Sequence, residues 1–435
     1  MFGSNSSEQF DSGPTLLRAR WVLPLVREPI ENGAILIQEG RIQQVGPWPE
    51  LQRQSRARLE DLGEVILLPG LVNAHCHLDY TGMAGQITPL KSFSDWIKAL
   101  LALKAHWTYT DYAASWLAGA RMLLHHGVTT VADIEAVPEL LPEVRLATPL
   151  RVCSFVEMTG VRSRRAPAQI IAEAIEHIAA VPTAARWAGL SPHAPYSTTP
   201  ELLRQSAAAA RQRGWLITTH LSESAEEFEM FLRARGPMYD WLQSQRDPSD
   251  CGLGSPTGAL ERAGLLAENF IAVHVNYLAP GDASLLGERG CGVVHCPRSH
   301  AYFRHEPFPW KELEEAGVNI CVGTDSLVST VVPTGERLEL NLLAELRAMQ
   351  RAHPGLSPER LLRFITLQGA KALRRAGELG ELSPGALADL IAIAGRSTAG
   401  DVYETVIAHP GPVARVMING QWVHSSDLPP ETSAG

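Results

Sequence analysis

The chain has 435 residues, 45% of them hydrophobic and 20% charged, and 38 basic against 47 acidic side chains leave it at −9. That supplies a large buried core and more than one average domain, while an acidic surface without blocks of like charge argues against a nucleic-acid partner. No apolar run reaches the roughly 20 residues of a membrane span and no secretory signal pattern opens the chain, and six scattered cysteines without a CxxC pair read as reduced, buried thiols of a cytoplasmic protein.

Residues 1–14 and 426–435 are polar and read as disordered tails. Residues 15–47 read as short strands, with Glu39-Gly40 as a hairpin turn. Near the other end, Ala388–Ile393 and Val413–Val423 look the same, and Asn419-Gly420 is a strong type I′ signal. The two β-rich ends, 15–65 and 376–425, are expected to form one small β-sandwich domain. Between them, residues 66–375 alternate apolar strands with helical stretches. Eight strand candidates follow one another: VILLPGLVNAH, GVTTVADI, RVCSFVEM, WAGLSPHA, WLITTHLSE, FIAVHVNY, CGVVHCP and NICVGTD. One connecting helix, Glu201 to Arg213, has Thr198 or Thr199 as its cap, Pro200 in its first turn and Gly214 past its end. Such alternation predicts an α/β chain with a (β/α)8 TIM barrel. An open doubly wound sheet competes, but no GxGxxG or P-loop follows any strand.

Functional side chains of such a barrel come from the C-terminal ends of its strands. His75 and His77 end the first strand, His193 the fourth, His220 the fifth and His274 the sixth, and Asp325 ends the eighth. Residues two apart on a strand face the same way. His75 and His77 can therefore both reach one ion at about 2.0–2.1 Å. His220-Leu221-Ser222-Glu223 adds a third imidazole and a carboxyl group suited to proton transfer beside a metal. Asp325 fits a helix N-cap, but with histidines at the other strand ends it reads better as a ligand and general base. His274 is open to two readings, a satisfied core histidine or a partner of water or substrate. His193, between two prolines, is expected to contact substrate or to hold its loop, and Ser326 and Tyr80 are expected to contact substrate. Tyr80, Phe93 and Trp96 could cover a flat base, although packing suits Phe93 and Trp96 as well. Glu226, Glu227 and Glu229 read as a solvated helix face, and His125 and His126 as structural groups at a helix end. Mixed nitrogen and oxygen ligation suits one divalent ion, Zn²⁺ first and Fe²⁺ as a compatible second.

Together PGLVNAHCH, SPHAPYS, HLSES, AVH, GTDS and the terminal ADL…VMINGQWV segment resemble the amidohydrolase superfamily, in its mononuclear cytosine-deaminase-like branch. The resemblance covers nearly the whole chain. It implies His75, His77, His220 and Asp325 as metal ligands, Glu223 as proton shuttle, His274 as the group orienting water, and His193 as a substrate contact. No lysine ends the fourth strand, where binuclear relatives carry a bridging one, which argues for a single ion. At strand seven, HCPRSHAYF departs from methylthioadenosine/adenosylhomocysteine deaminases and looks more like aminofutalosine deaminases. Arg298, or Arg304 nearby, is accordingly expected either to pair with a substrate carboxylate or, equally, to pack a barrel loop. The resemblance thus implies deamination of an aminopurine nucleoside-type small molecule, without nucleic acid or membrane as partner, and is compatible with a homodimer. An s-triazine chlorohydrolase or a cyclic-amide hydrolase shares the scaffold, and a metal-free, non-catalytic barrel is the reading of another class.

Overall fold

The computed structural model describes residues 13–161, 163–181, 187–330 and 337–423; the expected tails lie almost wholly outside these. Five strands lead in: β1 (Thr15–Val22), β2 (Ile30–Gln38), β3 (Arg41–Pro47), β4 (Arg58–Asp61) and β5 (Val65–Pro69). Eight follow: β6 (Leu71–Cys76), β7 (Val128–Glu135), β8 (Arg151–Met158), β9 (Ala188–Pro192), β10 (Leu216–Leu221), β11 (Phe270–His274), β12 (Gly292–His295) and β13 (Asn319–Val322). Three close the chain: β14 (Leu390–Ala394), β15 (Arg415–Ile418) and β16 (Gln421–Trp422).

The middle eight pair in parallel in sequence order, and Thr324 N and Asp325 N donate to His75 O at 3.0 and 3.1 Å, bringing the last strand round to the first. This is the nearly closed (β/α)8 barrel that the strand–helix alternation predicts. Strands β6 and β7 are buried along their whole length, as parallel strands are when helices cover them. The other strands form one mixed sheet, ordered β16-β15-β14-β5-β1-β2-β3. Along one edge β1 pairs first with β4 and then with β5, so the sheet forks there. Antiparallel pairing of β5 with β14 joins the two ends of the chain. Both expected hairpin turns are present: Glu39 and Gly40 hold φ of 52° and 72°, Asn419 and Gly420 54° and 75°, the paired left-handed conformations of a type I′ turn.

The apolar run VILLPGLVNAH, expected as one barrel strand beginning at Val65, is two strands. Val65–Pro69 belongs to the terminal sheet and Leu71–Cys76 opens the barrel, so the handover falls at Gly70. A Cβ on Gly70 would sit 2.1 Å from Thr129 Oγ1, which leaves glycine as the residue that fits this crossing. All six cysteines are free and buried. Among the described residues, no helix is long and apolar enough to cross a membrane.

Candidate active site

The residues expected at the strand ends converge on one rim. His75 is next to last in β6 with His77 just beyond its end, His220 lies in β10, His274 ends β11, and Asp325 follows β13. Ser222, His274 and Asp325 hold φ of 48°, 74° and 53°, left-handed backbone that costs residues with side chains about 1–3 kcal/mol each. Strain of this kind persists where the surroundings fix the chain. Gly323 allows the close approach behind it, since a Cβ there would stand 2.6 Å from His75 O and 2.8 Å from His75 N.

His77 Nε2 stands 3.3 Å from His220 Nε2, and Asp325 Oδ1 stands 3.6 Å from His75 Nε2 and 3.7 Å from His77 Nε2. Candidate ligand atoms of His75, His77 and Asp325 all lie within 4.8 Å of one another, as do those of His75, His220 and His274. His75 has both ring nitrogens buried without a hydrogen bond, and His77 Nδ1 and His274 Nε2 are in the same state. Buried polar atoms are normally paired. Convergent, unpaired nitrogens beside a carboxylate are the donor set of a cation site. His220 Nδ1 donates to the His193 carbonyl at 2.8 Å, which leaves Nε2 as its lone-pair nitrogen. Burial first, then neighbouring imidazoles, hold His77 and His220 well below the usual imidazole range. Neutral rings are the form that ligates. Burial works against ionised Asp325, but the adjacent His75 ring and the other surrounding imidazoles outweigh it and keep its carboxyl well below the usual carboxylate range.

Glu223 lies beside this cluster, with Oε1 3.5 Å from His274 Nε2. Burial pushes its carboxyl well up, and the charges of Asp325 and Glu227 add to that. Glu227 also fixes the loop: its carboxylate accepts from Ser222 N at 3.1 Å and Glu223 N at 2.9 Å. The solvated-face reading therefore fails for Glu227, which is fully buried, and for Glu226, which accepts from Phe93 N and Ser94 N. Glu229, bonded to Arg235 at 2.8 Å, fits that reading.

A cavity of about 280 Å³ opens over the cluster, lined by His77, His220, Glu223 and Asp325 and also by Tyr80, His193 and Ser326. Tyr80 stacks on His77 with ring centroids 5.2 Å apart. Phe93 and Trp96 both pack in the core and line the cavity, so the two readings of them coexist. Arg298 corrects an expectation. Its side chain is buried, its Nε donates to Glu345 at 2.5 Å and its Nη2 to the Glu339 carbonyl at 2.8 Å, and it does not line the cavity. Its charge is already matched inside the protein. Arg304 is exposed and lies off the cavity as well. The sequence reading also passed over Glu157 and Lys104, both in the cavity wall. Glu157, a carboxylate at the end of an apolar strand, carried the same signal as the histidines.

A family model described as "Amidohydrolase family" matches residues 66–423. A 5-methylthioadenosine/S-adenosylhomocysteine deaminase of Syntrophobacter fumaroxidans is 33% identical over 385 residues, covering 83% of this chain and 80% of its own. An aminodeoxyfutalosine deaminase of Deinococcus radiodurans is 28% identical, covering 78% of this chain and 81% of its own. Among solved structures, a Helicobacter pylori aminofutalosine deaminase in complex with methylthio-coformycin matches with a TM-score of 0.80 at 22% identity, over 94% of this chain and all of that one.

Proposed function

The chain belongs to the amidohydrolase family, and on that premise we propose that it is a metal-dependent hydrolytic deaminase of an adenosine-type nucleoside. The observation that carries the reading is Glu223, a buried carboxyl group held toward its protonated form next to a cluster of ligating side chains. A protonated acid is what loss of ammonia from an aminopurine needs. Relatives named for this reaction, one of them 33% identical, support it.

His75, His77, His220 and Asp325 would hold the cation, and the mixed donor set favours Zn²⁺. Bound there, a divalent ion supplies the Lewis acidity that makes hydroxide available at neutral pH. Glu223 donates its proton to a ring nitrogen of the base, making the adjacent carbon electrophilic. Asp325 accepts a proton from the attacking water. His274, whose Nε2 has no partner, orients that water by a hydrogen bond. Asp325 passes its proton to the departing amino group, ammonia leaves, and the remaining hydroxyl proton returns to Glu223 as the oxo product forms. Tyr80, His193 and Ser326 line the space for the base and its substituents. Six buried free thiols suit the reducing cytoplasm.

The test is ammonia release from adenosine, methylthioadenosine, adenosylhomocysteine, aminodeoxyfutalosine, guanine, cytosine and a chlorotriazine, with bound metal quantified in the same sample. Ammonia from an adenosine-type nucleoside, lost on chelation and restored by Zn²⁺, is expected. Turnover of the triazine alone by metal-replete protein would refute the reading.

A further inference from the structure

Glu157 is next to last in the third barrel strand, β8, and lines the cavity one side chain out from the ligand cluster. The His220 and His193 ring centroids are 4.8 Å apart, and His193 Nε2 stands 3.9 Å from Glu157 Oε1, beyond a hydrogen bond. That Oε1 is buried without a hydrogen-bond partner. Leaving a buried acceptor unsatisfied costs about 1–3 kcal/mol, more when the group is charged. Burial pushes the Glu157 carboxyl up, with the charge of Lys104 working against it, and Lys104 lies in the same wall, where it donates to the Tyr80 hydroxyl. The unpaired Oε1 is an acceptor. It therefore calls for donors from whatever fills the cavity.

The same cavity has an apolar part formed by Trp96, Leu100, Leu101, Val161 and Trp241. A purine ring held at Glu223 and Asp325 would carry its sugar next to the ligand cluster, and a 5′ substituent could reach the apolar side. Neighbouring sugar hydroxyls are paired donors, and acidic side chains bind a ribose hydroxyl in this way in dinucleotide-binding folds.

We propose that Glu157 is a specificity-determining residue whose carboxylate accepts the adjacent hydroxyls of the substrate's ribose, selecting ribonucleosides over deoxynucleosides and free bases. This rests on the deaminase reading given above. The test uses metal-replete wild type and Glu157→Gln, with the adenosine-type nucleoside turned over fastest and its 2′-deoxy and 3′-deoxy counterparts. Wild type should favour the ribonucleoside in kcat/KM by about tenfold or more, the size of one hydrogen bond to a charged group. Glu157→Gln should lose about that factor on the ribonucleoside, change little on the deoxy compounds, and keep its metal. A variant that merely misfolds would lose all three substrates together and shed metal, and the deoxy compounds expose this. If Glu157→Gln keeps the wild-type preference, or wild type has none, the inference is overturned while the deaminase reading stands. If metal-replete wild type releases ammonia from no nucleoside, that reading fails and the inference falls with it.

Discussion

Glu223 and Arg298 are both ionisable side chains taken out of water, and their partners give them opposite uses. Burial and the charges of Asp325 and Glu227 hold Glu223 toward its protonated form, as the proposed proton transfer requires. Glu223→Gln keeps the shape and removes the transferable proton. It should retain bound metal while kcat falls by about 10²–10⁴, the usual worth of a positioned proton transfer. Metal analysis with steady-state ammonia release checks this, and near-native turnover would remove Glu223 from the mechanism. Arg298 has Glu345 fully buried against it. Arg298→Ala strands that carboxylate, which costs about 3–5 kcal/mol when a buried pair is broken. A lower denaturant midpoint is expected, without selective loss of carboxylate-bearing substrates. At this scale the HxH pair was legible because strand periodicity alone puts both rings on one face. Arg298 was not, because its partner lies 47 residues away on another element.

Secondary-structure elements were readable wherever the signal was local. The helix Pro200–Arg213 has Thr199 accepting from Leu202 N at 3.2 Å and Gly214 at φ 66° beyond its end, as its cap residues imply. The handover at Gly70 was not readable, because an apolar strand of one sheet runs straight into an apolar strand of another and the pattern does not change. Gly323 is the element-scale counterpart at the site. It lets the end of β13 lie against His75, and a methyl group there would overlap backbone atoms that cannot rotate away. Gly323→Ala should therefore push Asp325 and His75 apart without deleting a ligand. Bound metal per chain and turnover should fall together, while far-ultraviolet circular dichroism stays near wild type. Full metal occupancy at wild-type affinity in Gly323→Ala would show that the strand ends tolerate the shift.

The barrel and the terminal sheet share one apolar core, in which Ile391 and Val416 join Leu124 and Val128, and Asp389 adds a polar tie beside it. Asp389 takes Arg151 through both carboxylate oxygens, at 2.5 and 3.1 Å, and accepts from Asn419 N at 2.7 Å. Its carbonyl accepts from Gly70 N at 2.9 Å. The start of β6, the start of β8 and the β15–β16 hairpin are thereby tied together. The presence of both sheets was legible from the strand patterns at the two ends of the chain. Their docking was not, since Arg151 and Asp389 stand 238 residues apart and each alone reads as an ordinary surface charge. A shared apolar core with this buried polar tie makes the two sheets unfold as one unit, because separating them would expose apolar surface and leave paired charges and backbone donors without partners. Calorimetry on wild type should accordingly show one transition. Asp389→Ala leaves the Arg151 guanidinium and Asn419 N without their acceptor. Arg151 retains partial exposure, so the expected cost is about 3 kcal/mol, the lower end for breaking a buried pair. The wild-type transition should move down by several degrees or split in two, with the metal-bearing barrel as the later component. Two well-separated transitions already in wild type would mean that Asp389 joins units that fold independently.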